Sequence, residues 1–272
     1  MTKKIVVFTT GGTIACTAGP DGALIPTVSG EDLVRPVAER FADSSIVCEV
    51  RELTRLDSSS MTFADVDEIV AAVQEALDDP ETTGVVVTHG TDSMEETAIA
   101  VDTFHSDSRP VVFTGAQKPS NHPEADGPEN LFDAIVIAAD DSARDIGCLI
   151  VFNHAVIPAR GAMKWHTSDN LAFATNGPEE PTRPDPILPH PLAGISAYAG
   201  APRTLIDAAV AAGSQGLVIE AMGAGNVGRE MALGVADALD QGIPVIITTR
   251  VPRGEVHGSY GGAGGGATLA AK

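Results

Sequence analysis

The stretch Ile5-Val6-Val7-Phe8-Thr9-Thr10-Gly11-Gly12-Thr13-Ile14-Ala15 decides how this chain folds. Its first four residues form an apolar run that reads as a buried strand. The glycines directly after it read as a tight turn. The pattern recurs where Val85-Val86-Val87 runs into Thr88-His89-Gly90-Thr91-Asp92-Ser93. In an open parallel sheet, ligands bind outside the carboxyl ends of the strands, where the loops converge. Two threonine-bearing turns at such ends can bring two hydroxyls to one spot, and the second carries its own carboxylate. The pair points to hydroxyl-based nucleophilic chemistry. Either turn alone is explained by the glycines that turns need. Neither has the G-x-x-x-x-G-K-[ST] or G-x-G-x-x-G spacing of a phosphate loop.

Working outward, short Val/Ile-rich runs alternate with amphipathic segments. Ile5–Phe8, Gly84–Val87, Pro110–Phe113 and Cys148–Phe152 read as strands. Asp65–Leu77 places Val66, Ile69, Val70, Val73 and Leu77 on one helical face, with Thr62 and Asp65 as a capping start. Met94–Phe104 and Glu129–Ala139 read as further helices. Strands alternating with helices give an α/β fold with a mainly parallel sheet flanked by helices. The prolines between Gly177 and Pro186 fit neither helix interior nor central strand, so 177–191 reads as a stiff linker. Beyond it, strands at Leu217–Glu220 and Val245–Thr248 and helices near Arg203–Ala212 and Glu230–Leu239 give a second, smaller α/β unit. The expected domains are 1–176 and 192–272. The latter is expected to lack a final helical portion, because the chain stops just after the glycine loop Tyr260–Gly266.

The chain has 272 residues, of which 43% are apolar and only 4% aromatic, so its cores are aliphatic, as parallel sheets prefer. A formal net charge of −20 argues against nucleic acid and against an anionic membrane surface as partners. Cys16, Cys48 and Cys148 are odd in number and far apart, which suits neither a disulfide framework nor a structural zinc site. His89, His122, His154 and His166 lack paired ligand spacing, so no metal is expected, and no cofactor. The apolar run near the start is too short for a signal peptide, and a cytoplasmic location is expected.

The chain resembles the bacterial-type L-asparaginase/glutaminase family of amidohydrolases. The resemblance is carried by Thr10–Ala15, Asp57–Met61, Thr88–Glu95, Thr114–Asn130, Ala159–Asp169, Gly223-Ala224-Gly225-Asn226 and Arg250–Gly254. It implies a large and a small α/β domain, no metal, and a dimer or tetramer with shared active sites. It also implies that Thr13 is the flexible-loop nucleophile and that Thr91, Asp92 and Lys164 form a second cluster. Ser58 matches a ligand of the substrate carboxylate, and Asn226 matches a residue that reaches a neighbouring subunit's site. Ser59 and Gly90 complete the expected substrate-binding set together with Ala116, whose backbone N–H, with that of Thr91, suits an oxyanion hole.

The residue types suit amide hydrolysis. A threonine hydroxyl is a weak nucleophile unless a neighbour takes its proton, and a lysine can do so. Asp92 can orient Lys164 or bind a substrate ammonium, and an N-cap for the helix near Met94 is its other reading. Two departures bear on substrate choice. The segment after Thr13, Asp21-Gly22-Ala23-Leu24-Ile25-Pro26, lacks the tyrosine that relatives of the secreted enzymes place there, and Ser59 stands where many members have Gln or Glu. Ala15–Pro26 reads as a mobile lid or as an ordinary surface turn. The expected reaction is cleavage of the asparagine side-chain amide. Alternatives are glutamine or another small amide, or a non-catalytic small-molecule binding module.

Overall fold

A computed structural model describes residues 2–42, 44–175, 192–252 and 254–272. The expected linker 177–191 lies outside the described residues. The first unit runs β1 (Lys3–Gly11), β2 (Cys16–Ala18), β3 (Leu24–Pro26), α1 (Gly30–Ala38), β4 (Ile46–Leu56), α2 (Phe63–Asp78) and β5 (Thr82–Thr88). It continues with α3 (Met94–Phe104), β6 (Val111–Thr114), α4 (Gly127–Ala139), β7 (Cys148–Phe152), β8 (Ala155–Pro158), β9 (Ala162–Lys164) and β10 (Phe173–Thr175). The second unit has β11 (Leu192–Ser196), α5 (Thr204–Ala211), β12 (Gly216–Ala221), α6 (Arg229–Asp240), β13 (Val245–Thr249) and α7 (Gly266–Ala270).

The main sheet has the order β4-β1-β5-β6-β7-β8, parallel throughout except for the β7–β8 pair. The chain leaves β1 for β4 on one side and returns to β5 on the other. The strand order therefore reverses between β1 and β5, which makes their carboxyl ends the topological switch point. Both threonine turns leave the sheet there, and Thr9 pairs with Thr88 in register.

β1 is buried on both faces, as its unbroken apolar run requires. Val6 and Phe8 join Val85, Val87 and Phe113 in a core that takes Ile69 and Val73 from α2 and Ala98 and Val101 from α3. Ile5 and Val7 face the opposite way, into a core completed by Val34 of α1 and Leu131 and Ile135 of α4. The start of α2 carries the expected capping box between Thr62 and Asp65, which satisfies backbone donors at that end. The second unit is a parallel sheet of order β11-β12-β13 with its own core of Leu217, Ile219, Ile206, Met231 and Val235.

Ala15–Pro26 folds as the β2–β3 hairpin. Ser120 donates its N–H and its hydroxyl to the Cys16 carbonyl, each over 2.8 Å. Asn121 exchanges two hydrogen bonds with the Ala18 backbone at 2.9 and 3.1 Å. On the other side Leu24 N–H reaches Ser259 O at 3.2 Å, so the hairpin is tied to both units. Among the described residues no helix is long and apolar enough to cross a membrane.

Candidate active site

The two turns touch. A Cβ built on Gly12 would lie 2.4 Å from the Gly90 Cα, so neither position has room for a side chain. Gly12 also holds φ +76°, a region that favours glycine. Thr10 Oγ1 donates to Thr88 O at 2.9 Å and Gly12 N–H to Leu56 O at 3.0 Å, which fixes the first turn against β5 and β4. Thr13 follows in a short 3-10 turn and is buried. Its hydroxyl pairs with the hydroxyl of Tyr260 from the second unit.

The second turn carries a denser cluster. Lys164, at the end of β9, donates from Nζ to Thr91 Oγ1 and to Asp92 Oδ1, both at 2.7 Å. All three side chains are buried. Thr91 Oγ1 donates in turn to Gln117 Oε1 at 3.4 Å, so the hydroxyl is held between an amine and an amide. Gln117 is fixed by donating to the carbonyls of His166 and Asp169 at 3.2 and 3.1 Å. Asp126 secures the turn beneath it by accepting from Gln117 N–H and Lys118 N–H, each at 2.9 Å. Ser58 Oγ accepts from Asp92 N–H at 3.2 Å, and its carbonyl accepts from Ser93 Oγ at 2.7 Å. Among the described residues, the N–H groups of Thr91 and Ala116 have no protein acceptor.

The second unit closes this cluster from outside. Asn226 Nδ2 donates to Asp92 Oδ2 at 2.7 Å, while its Oδ1 accepts from Gly266 N–H at 3.0 Å. Asp92 therefore has one oxygen on Lys164 and the other on Asn226. Gly223, at φ +53°, approaches so closely that a Cβ there would lie 1.7 Å from Asp92 Oδ1. Arg250, just beyond β13, donates to Asp92 O at 3.3 Å and pairs with Glu96 at 2.6 Å. Gly223-Ala224-Gly225-Asn226-Val227-Gly228 has the G-x-G-x-x-G spacing between β12 and α6. In this chain the Asp92 carboxylate fills the approach that such glycines open.

Burial and charge set the protonation states. Burial first, and then the Asp92 carboxylate, push Asp57 up from 3.8 to about 6. Burial of the Tyr260 hydroxyl, with Asp92 and Asp57 adding to it, holds that phenol well above its ordinary value. Cys16, three residues after Thr13, is pushed by burial to about 12 and is no thiolate nucleophile at neutral pH. His89 is fully buried and lowered to about 4, a neutral ring donating from Nδ1 to Gly90 O at 2.7 Å. A cleft of about 320 Å³ is bounded by Gly12, Asp57, Tyr260 and the hairpin residues Ala23–Pro26.

A family profile described as asparaginase, N-terminal, matches residues 4–182, and one described as glutaminase/asparaginase C-terminal domain matches residues 193–272. The chain belongs to the asparaginase family. L-asparaginase of Bacillus licheniformis is 31% identical over 291 residues, covering 100% of this chain and 89% of the relative. L-asparaginase 2 of Escherichia coli (strain K12) is 32% identical, covering 92% of this chain and 79% of the relative. Probable L-asparaginase of Deinococcus radiodurans is 32% identical, covering 98% and 85%.

In this asparaginase-family chain, Thr91, Asp92, Lys164, Ser58 and Asn226 meet in one connected network. Thr13 meets Tyr260 instead, and joins the others through the Gly12–Gly90 contact. Asn226 contacts Asp92 of its own chain, whereas the resemblance led to a neighbouring subunit's site. The Asp92 side chain caps no helix: Ser93 is the N-cap of α3, without a side-chain cap hydrogen bond, and the Asp92 carboxylate is engaged elsewhere. Ser59 is buried and its hydroxyl has no partner among the described residues, and Ala116 is buried at the turn after β6. Sequence reasoning missed Asp57, Gln117, Arg250 and Tyr260 as members of the site. The Asp57–Met61, Thr114–Asn130 and Arg250–Gly254 segments contain three of them. No local pattern pointed to Tyr260.

Proposed function

We propose that the chain hydrolyses the side-chain amide of L-asparagine to L-aspartate and ammonia by a threonine-dependent double displacement. The observation that carries this reading is the buried Lys164 Nζ, 2.7 Å from both Thr91 Oγ1 and Asp92 Oδ1. A threonine oxygen, Thr13 by family resemblance, bonds to the carboxamide carbon. The resulting oxyanion takes the N–H groups of Thr91 and Ala116. The C–N bond then breaks, and the nitrogen leaves as ammonia with the proton given up by the hydroxyl. Water cleaves the ester, releases the carboxylate and restores the threonine, with Thr91 and Lys164 as the proton relay.

Asp92 and Asp57 supply negative charge for the α-ammonium, and the raised Asp57 suits a carboxyl that ionises fully when a cation arrives. Ser58, Ser59, Gly90 and Asn226 serve the rest of the amino-acid head group. The unpartnered Ser59 hydroxyl favours one second reading, glutamine or another small amide as substrate. Ammonia release from a panel of L-asparagine, L-glutamine, their D-isomers and simple amides tests both. Fastest turnover of L-asparagine is expected. No release from any amide would overturn the reading.

The reading extends to boundaries at 1–176 and 192–272 and to a cytoplasmic location, which the three unbridged cysteines support. It also extends to a dimer or tetramer. Exposed Phe63, Leu205 and Ile246 support assembly, since such side chains gain from being covered. Exchange of second units about a dyad would remake the Asp92–Asn226 contact between copies. Mixing inactive Asn226→Ala and Thr91→Val chains distinguishes the cases: recovered activity means shared sites, and none means that each chain builds its own.

A further inference from the structure

Lys164 stands on β9, which pairs with β10 in a two-stranded ribbon outside the main sheet. Thr91 and Asp92 follow β5 of the main sheet, so the lysine and its two side-chain partners sit on separate pieces of backbone. The element that joins the two pieces is α3. Its first-turn residue Glu95, three positions after Asp92, accepts the Lys164 backbone N–H on Oε2. The segment that offers partners to the lysine's amine thus also grips its main chain. The Glu95 side chain is largely buried, and its Oε1 lies 3.9 Å from Arg250 Nη2 of the second unit. The same arginine reaches Asp92 O at 3.3 Å and Glu96 at 2.6 Å. Burial pushes the Glu95 carboxyl up from its ordinary value, and Arg250 and the Lys164 N–H pull against that.

We propose that Glu95 is a positioning residue for the reaction, placing Lys164 Nζ against Thr91 Oγ1 by holding the lysine's main chain. This rests on the asparaginase reading above. The Glu95 bond goes to the lysine's backbone and not to its amine, so its effect on proton transfer is indirect. A lysine amine rides on a flexible four-carbon stem, and fixing the root of that stem narrows where the amine can lie. A carboxylate that accepts from a backbone N–H makes a charge-assisted bond, stronger than one between neutral groups. Glu95 therefore ties the ribbon that carries the base to the turn that carries Thr91.

The test compares Glu95→Ala, which removes the acceptor, with Glu95→Gln, which keeps an amide oxygen for the Lys164 N–H. With L-asparagine, kcat of Glu95→Ala is expected to fall about ten- to a hundredfold, the scale of a small misplacement at a reacting centre. KM and the affinity for L-aspartate are expected to stay near their unmodified values, and Glu95→Gln is expected to regain most of the lost kcat. A residue that only steadied the end of α3 would lower the melting temperature of both variants and leave kcat alone. Hydrogen exchange without substrate reads the positioning apart from the reaction. The Lys164 amide should be protected in the unmodified protein and in Glu95→Gln, and should lose protection in Glu95→Ala while β1 and β5 keep theirs. The first two of these measurements do not depend on the folding of Glu95→Ala. Full kcat in Glu95→Ala, a Glu95→Gln as slow as Glu95→Ala, or an unprotected Lys164 amide in the unmodified protein overturns the proposal while the asparaginase reading stands. An unmodified protein that releases no ammonia from L-asparagine overturns both.

Discussion

The two threonine turns start alike and end differently. Each follows a buried strand, each needs glycine where it meets the other, and each buries its threonine. Thr91 finds its hydrogen-bond partners inside its own unit, in Lys164 and Gln117. Thr13 finds a hydroxyl partner in the second unit, in Tyr260. One threonine hydroxyl is therefore held within the first unit, and the other is met by the second unit. Asp92 joins the two arrangements, with one carboxylate oxygen on each unit.

The largest effect should come from the locally built threonine. Lys164→Met removes the amine that touches both Thr91 and Asp92 and leaves a buried carboxylate short of a charged partner. Turnover of L-asparagine is expected to fall at least about a hundredfold. Ammonia release at the unmodified rate would show that Thr91 needs no lysine.

Docking should be nearly as sensitive. Gly223→Ala places a methyl where Asp92 Oδ1 lies, at a φ of +53° that alanine tolerates poorly. Loss of activity of about tenfold or more is expected, with faster hydrogen exchange in both Gly223–Gly228 and Tyr260–Gly266 and little change in β1 or β5. Uniform loss of protection across the main sheet would mean that the units do not open separately.

A smaller effect concerns pH. Asp57 is raised from 3.8 to about 6, so the folded protein holds this proton more tightly than the unfolded chain does. Its contribution to stability is therefore present below pH ~4 and is lost as pH rises to ~6. Asp57→Asn should flatten that part of the melting curve against pH and weaken L-aspartate binding. An unchanged slope would assign the titration to another group.

The same contrast explains what the sequence could and could not reveal. β1, β5 and the helices α2, α3 and α4 were legible because burial on two faces, or on one helical face, leaves an apolar pattern. β4 was not: it is an edge strand whose Glu49, Arg51, Glu52 and Arg55 side chains form ion pairs at the sheet margin, which breaks the pattern. α1 was hidden by Pro36 near its end. Thr91 and Asp92 lay beside their strand, and family resemblance supplied Lys164. Asn226 was expected to reach a neighbouring subunit's site, and no sequence pattern states which chain makes its contact. Tyr260 was invisible because a single aromatic in a glycine loop has no period, and its partner lies 247 positions away.

The proposed reaction needs both threonines in one site on one substrate. Steady-state ammonia release from L-asparagine by Thr13→Val and Thr91→Val, each shown to keep the unmodified melting temperature, tests it most directly. Both variants are expected to lose at least about a hundredfold in kcat. Full turnover by either one would contradict the account, because that threonine would then be only part of the turn that holds it.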